Sequence, residues 1–113
     1  MGIRINDRVL ATDNEGFLLD PADWNEDVAA AIAADLGLQL NEQRWLVVRF
    51  VREYFEERQI VPEARTVLKA IGEALGKEHA TRRYLYSLFP YGYGQQACKI
   101  AGMRKPMKLM LDI

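Results

Sequence analysis

The chain begins on an alternating pattern and leaves it after about twenty residues. Ile3 and Ile5 alternate with Arg4 and Asn6, Asn6-Asp7 is a turn pair, and Val9 follows on a returning segment. A period of two around such a turn predicts a small β-hairpin. Asp13-Asn14-Glu15-Gly16 is a second turn cluster, after which Phe17, Leu18 and Leu19 run extended against the body of the fold. From residue 20 the apolar period becomes three and four. Asp20-Pro21 fits an N-cap with proline at the first helical position, and Asn25 offers a second start for the alanine-rich run 26–36, which Gly37 ends. Asn41 caps a longer helix in which Val47, Phe50, Val51 and Tyr54 form the buried face, with Arg44, Arg52, Glu53, Glu56 and Glu57 falling largely elsewhere. Pro62 starts a third helix that runs to Leu75, with Val67, Leu68, Ile71 and Leu75 on one face and a left-handed stop at Gly76. A fourth spans 79–88. The segment 90–94 reads as a loop because glycine and proline crowd it, and a short helix over 95–101 then stops at Gly102. The expected fold class is mainly α: an orthogonal helical bundle (21–102) with a small N-terminal β-hairpin (1–20), a helix-turn-helix-like pair and a C-terminal arm (103–113), all in one domain over 1–113.

Composition narrows the function more than the fold. The chain has 113 residues, half of them apolar, and a mean hydropathy of −0.19, which suits an ordinary globular domain. No stretch approaches the ~20 apolar residues of a membrane span, and the N-terminal MGIRIND lacks a signal peptide's apolar core, so the cytoplasm is the expected location. One cysteine, Cys98, and one histidine, His79, exclude an internal disulfide, a thiolate zinc site and a histidine cluster. No glycine-rich phosphate loop or paired-carboxylate motif stands out, and neither cofactor nor metal is expected. The acidic run Asp20, Asp23, Glu26, Asp27 reads as a helix start, His79 as a surface or capping residue, and Trp24, Trp45, Tyr54 and Phe55 as core aromatics.

Charge is unevenly divided. Residues 1–57 carry a balance of −7 and residues 58–113 a balance of +6. The two halves attract each other across the fold, or the basic half meets nucleic acid or an acidic protein. Helices three and four, joined by Gly76-Lys77-Glu78, have the layout of a helix-turn-helix, with Thr81, Arg82 and Arg83 at the start of the second helix as the candidate DNA-binding residues. Cys98 is the one ordinary nucleophile. Lys99, Arg104 and Lys105 lie close in sequence and would favour a thiolate if the sulfur is exposed. Alternatively, Ala97, Cys98, Ile100 and Ala101 form an apolar patch in which the thiol is inert.

Taken in order, Glu15-Gly16-Phe17-Leu18, Asp20-Pro21-Ala22-Asp23-Trp24-Asn25, Asn41-Glu42-Gln43-Arg44-Trp45, Arg52-Glu53-Tyr54, Leu88-Phe89-Pro90 and Gln96-Ala97-Cys98-Lys99-Ile100-Ala101-Gly102 resemble the DsrC/TusE/DsvC family over nearly the whole chain. The resemblance implies a cytoplasmic sulfur-trafficking protein, a helical bundle with a hairpin and a mobile arm. Its partners would be sulfur-transfer proteins of the TusBCD or DsrEFH type, or dissimilatory sulfite reductase, and its pathway would lead to sulfite reduction or tRNA thiolation. In such proteins a terminal cysteine carries the sulfur, and in the DsrC type a second cysteine precedes it by eleven positions. Cys98 matches the earlier cysteine, and the position eleven residues on is Leu109. Further departures are Tyr93 for a proline, Arg104 for a proline and Lys108 for a glycine. This pattern implies a partner-binding or regulatory variant, with Cys98 the one residue able to take sulfur and Lys99, Arg104, Lys105 and Lys108 as partner contacts. Transcriptional regulation through Thr81, Arg82 and Arg83 is the alternative. The arm, with apolar Met107, Leu109, Met110, Leu111 and Ile113, is expected to pack on its own bundle or on a neighbouring chain, leaving Lys105 and Lys108 in solvent.

Overall fold

The computed structural model describes residues 2–106. Its N-terminal segment closes as an antiparallel hairpin of β1 (Gly2–Ile5) and β2 (Arg8–Ala11), with Gly2 opposite Ala11 and Ile5 opposite Arg8. Asn6 takes the left-handed turn conformation at φ 55°, which asparagine tolerates better than most side chains. Ile3, Ile5 and Leu10 face the core. The Asp13 carboxylate accepts from the backbone N–H groups of Glu15 and Phe17 and so shapes the next turn. Beyond it Phe17 and Leu18 are fully buried while Leu19 stays exposed.

The helical part uses both of the proposed starts near residue 20. Asp20 accepts from Ala22 N and caps a single 3-10 turn, Pro21–Asp23, and Asn25 then accepts from Val28 N and caps α1 (Glu26–Asp35). Asn41 caps α2 (Glu42–Arg58) in the same way through Arg44 N. The third helix, α3 (Ala64–Leu75), begins two residues later than the proline suggested: Pro62 precedes the helix, and Glu63 stands at the cap without a side-chain bond. Gly76 ends it at φ 107°, ψ 151°, outside the left-handed helical basin expected for the stop. The expected helix over 79–88 is shorter. Lys77–His79 forms a 3-10 turn, and Thr81 accepts from Tyr84 N to cap α4 (Arg82–Leu88). α3 and α4 are thus consecutive helices joined through that 3-10 turn.

The core runs through Val28, Ala29, Ile32 and Ala33 of α1, Val47, Val48 and Val51 of α2, Val67 and Ile71 of α3, and Leu85 and Leu88 of α4. Phe50 and Tyr54 are only half-buried. Arg52, expected largely off the buried face, lies inside, 9% exposed. The largest departure follows α4. Where a loop over 90–94 and a helix over 95–101 were expected, Tyr93–Cys98 forms a π-helical turn continuous with a short α-helical end. Among the described residues no helix is long and apolar enough to cross a membrane.

Candidate functional site

Cys98 closes the π turn and has no exposed surface. Ala97, Ile100, Ala101 and Met103 around it are likewise fully buried, so the apolar-patch alternative is the one the fold adopts. Burial pushes the thiol up to about 12, and the neighbouring Tyr93 hydroxyl offsets only part of that shift. That hydroxyl donates to the carbonyl of Pro62 at 2.7 Å. Its single proton is therefore committed, and it could support a thiolate only by abandoning Pro62. Tyr93 is itself raised above the ordinary phenol range, first by burial and then by the facing Cys98. Neither group ionises at neutral pH in this arrangement. Activation by Lys99, Arg104 and Lys105 is conditional on an exposed sulfur; that condition is not met, and burial is the largest cause of the thiol's shift.

The backbone around the thiol is held from its C-terminal side. Gly102 N donates to Lys99 O at 3.1 Å and Met103 N to Cys98 O at 3.1 Å, the paired bonds of a Schellman stop, with Gly102 at φ 79°. Trp24 Nε1 donates to Ile100 O at 2.7 Å. Arg52 Nη1 donates to Ala101 O at 3.4 Å and Nη2 to Pro21 O at 2.8 Å, with its Nε on Glu56 at 2.9 Å and its guanidinium 4.8 Å above the Trp24 ring. Tyr93, Trp24, Arg52 and Gly102 thus define the Cys98 compartment. Gly102 is legible from its sequence as a helix stop, whereas periodicity marks none of Tyr93, Trp24 and Arg52 as such, since their partners lie far away in the chain.

The other candidates separate in space. Lys99, proposed as a partner contact, is 9% exposed and its ammonium lies 4.8 Å from the Phe17 ring centroid. It lines a cleft of about 460 Å³ together with Arg4, Thr12, Asp13, Gly16 and Asp35. Its side chain is thus largely covered and meets solvent only at that cleft. Arg104 is exposed. Lys105 is half-exposed and pairs with Glu15, which raises the lysine's pKa. Lys108, Leu109 and the arm's expected packing lie outside the described residues. Thr81 spends its hydroxyl on the α4 cap, and Arg82 and Arg83 are exposed on the first turn of that seven-residue helix. His79 stacks obliquely on Tyr84, with centroids 4.8 Å apart. Among the described residues no group of His, Cys, Asp and Glu is placed to hold a metal.

Three comparisons place this arrangement among known proteins. A family model described as DsrC like protein matches residues 4–110. Sulfurtransferase TusE of Salmonella paratyphi A is 46% identical over 99 residues, covering 88% of this chain and 91% of that relative. The oxidized gamma-subunit of the dissimilatory sulfite reductase (DsrC) from Archaeoglobus fulgidus has a TM-score of 0.87 at 32% identity, over 95% of this chain and 97% of that one. The NMR structure of Allochromatium vinosum DsrC has a TM-score of 0.84 at 45% identity, over 94% and 95%.

Proposed function

This chain belongs to the DsrC-like family of sulfur-relay proteins, and we propose that within it the protein is a partner-binding or regulatory member that does not relay sulfur through a terminal thiol. The observation that carries this reading is the state of Cys98. It is the chain's one cysteine, it is fully enclosed, and burial holds its thiol at about 12. Position 109, where the resemblance calls for the transferring cysteine, is leucine. A thiol in that state cannot attack a persulfide at neutral pH, because the thiolate is the nucleophile.

The partners in this reading are sulfur-transfer proteins of the TusBCD or DsrEFH type, or dissimilatory sulfite reductase. The setting is the cytoplasm, and the whole chain acts as one domain. Arg104 and Lys105, at the exposed root of the arm, are the contacts offered to such a partner, with Lys108 beyond them. Binding without relay would let the protein compete with thiol-bearing relatives for the same partner surface.

The test is intact-mass analysis after incubation with a persulfide-loaded donor protein. Transfer would require the Cys98 thiolate to attack the donor's outer sulfur, forming a cysteine persulfide and releasing the donor thiol. The expected result is an unchanged mass together with measurable binding to the donor that weakens in Arg104→Ala and Lys105→Ala. A stoichiometric gain of sulfur, reversed by reductant and absent in Cys98→Ser, would overturn the reading in favour of a carrier.

A further inference from the structure

The segment that encloses Cys98 is secured very differently at its two ends. Downstream of the thiol, the Schellman bonds, Trp24 on Ile100 O and Arg52 on Ala101 O hold the backbone in place. Upstream, the turn packs against α2 with Tyr93, Gln96 and Ala97 buried, but its hydrogen bonding to the rest of the fold is slight. Among the described residues, one side-chain hydrogen bond joins Tyr93–Cys98 to another part of the fold, from Tyr93 Oη to Pro62 O. Gln96 Oε1 accepts from Tyr91 N, within the same stretch. Immediately before the turn, Gly92 sits at φ 109°, and a Cβ placed on it would meet nothing within 4 Å. That is a backbone pivot with open space around it. A π turn is a short interruption of regular helix, found frequently at functional sites.

We infer that the bond from Tyr93 to Pro62 is a latch on the Cys98 compartment: it ties the π turn to the connection between α2 and α3, and solutes meet the thiol when that tie breaks and the turn lifts about Gly92. The inference rests on the reading of Cys98 as silent and names the residue that keeps it so. Tyr93 is a positioning residue here, since it acts on the thiol by holding its enclosure shut. When the latch opens, Pro62 O and Tyr93 Oη reach water and the turn's buried side chains are uncovered, so the cost combines one separated pair with local apolar exposure while the rest of the core stays folded.

The test is the rate at which the full chain reacts with dithiobis(nitrobenzoate), the Cys98 thiolate displacing one aryl thiolate to leave a mixed disulfide. Wild type, Tyr93→Phe and the α1 core variant Val28→Ala are compared across low denaturant concentrations. The latch requires slow wild-type labelling whose denaturant dependence is well below that of global unfolding, because local opening exposes only the turn's share of the core. It also requires labelling about ten- to a hundredfold faster in Tyr93→Phe, with the same shallow denaturant dependence. Val28→Ala should label at the wild-type rate in the absence of denaturant. If labelling follows the full denaturant dependence of global unfolding, or if Tyr93→Phe is no faster than Val28→Ala, the latch is wrong and the silent thiol stands. If wild type labels as fast as a free peptide thiol, the silent-thiol reading fails and the latch with it. Should Tyr93→Phe not fold, wild-type labelling and amide exchange at Gln96 decide the matter. Shared sub-global opening supports the latch, and exchange through global unfolding alone overturns it.

Discussion

The indole of Trp24 stands where a side chain on Gly102 would have to go: a Cβ built on Gly102 would lie 2.4 Å from Cδ1 of Trp24 and 2.7 Å from Cγ. Gly102 also sits at φ 79°, so two independent penalties meet at one residue. Gly102→Ala should lower stability by about 2–4 kcal/mol, combining the left-handed backbone cost with displacement of the ring. Gly37 supplies the control. It has a similar φ of 75°, and a Cβ there would meet nothing within 4 Å, so Gly37→Ala should cost only about 1 kcal/mol. Urea unfolding of both variants checks the contrast, and equal losses would mean that Trp24 yields freely.

Arg52 ties α2 to two segments distant in the chain, through Pro21 O and the Trp24 face on one and Ala101 O on the other. Removing the guanidinium leaves Ala101 O inside without its donor and Pro21 O with the Trp24 N–H alone. Arg52→Met, which keeps the aliphatic stem, should still cost about 2–3 kcal/mol. Arg52→Lys should recover little, because one ammonium cannot span both carbonyls while lying flat on the indole. Chemical denaturation of the two variants side by side provides the measurement.

Local capping should be separable from these long-range ties. Asn25 and Asn41 each accept one backbone N–H, from Val28 and Arg44, at 2.9 Å. Asn25→Ala and Asn41→Ala should each cost about 1 kcal/mol, and the Asp variants should be close to neutral. Losses well above that for either alanine variant would show that its side chain does more than cap.

The contrast marks where sequence reading reaches. Asn25 and Asn41 were legible as caps because a cap and its partner lie three residues apart. Ile3 and Ile5 were legible because a hairpin repeats every two. Arg52 falls off the periodic buried face yet lies inside the fold, since its two carbonyl partners lie 31 and 49 residues away and an isolated helix pattern contains neither. The π turn was misread for a similar reason. Gly92 and Gly94 look like loop punctuation until Tyr93 is anchored on Pro62, 31 residues earlier. The family resemblance recovered part of this long-range information. Trp24 and the Cys98–Gly102 block both belong to the motifs that carry the resemblance, and they touch across 76 residues through Trp24 Nε1 and Ile100 O.

The state of Cys98 makes stability depend on alkaline pH in a defined direction. Its thiol is held at about 12 in the folded chain by burial, against an ordinary thiol value of about 8.5 once unfolded. The folded value is the higher one. Stabilisation from the neutral thiol is therefore fully present below about pH 8.5 and is lost as pH rises toward 12, because the unfolded chain alone gives up the proton through that window. The loss is about 1.4 kcal/mol per pH unit, or about 2 kcal/mol between pH 8.5 and pH 10. Cys98→Ala has no thiol to ionise, so the stability difference between wild type and this variant should shift by that amount against wild type from pH 7.5 to pH 10. Tyr93, also raised by burial, contributes at still higher pH and does so in both proteins. Urea unfolding of the pair across this range measures the shift. A difference that stays constant with pH would mean that the thiol ionises alike in both states, contrary to its enclosure.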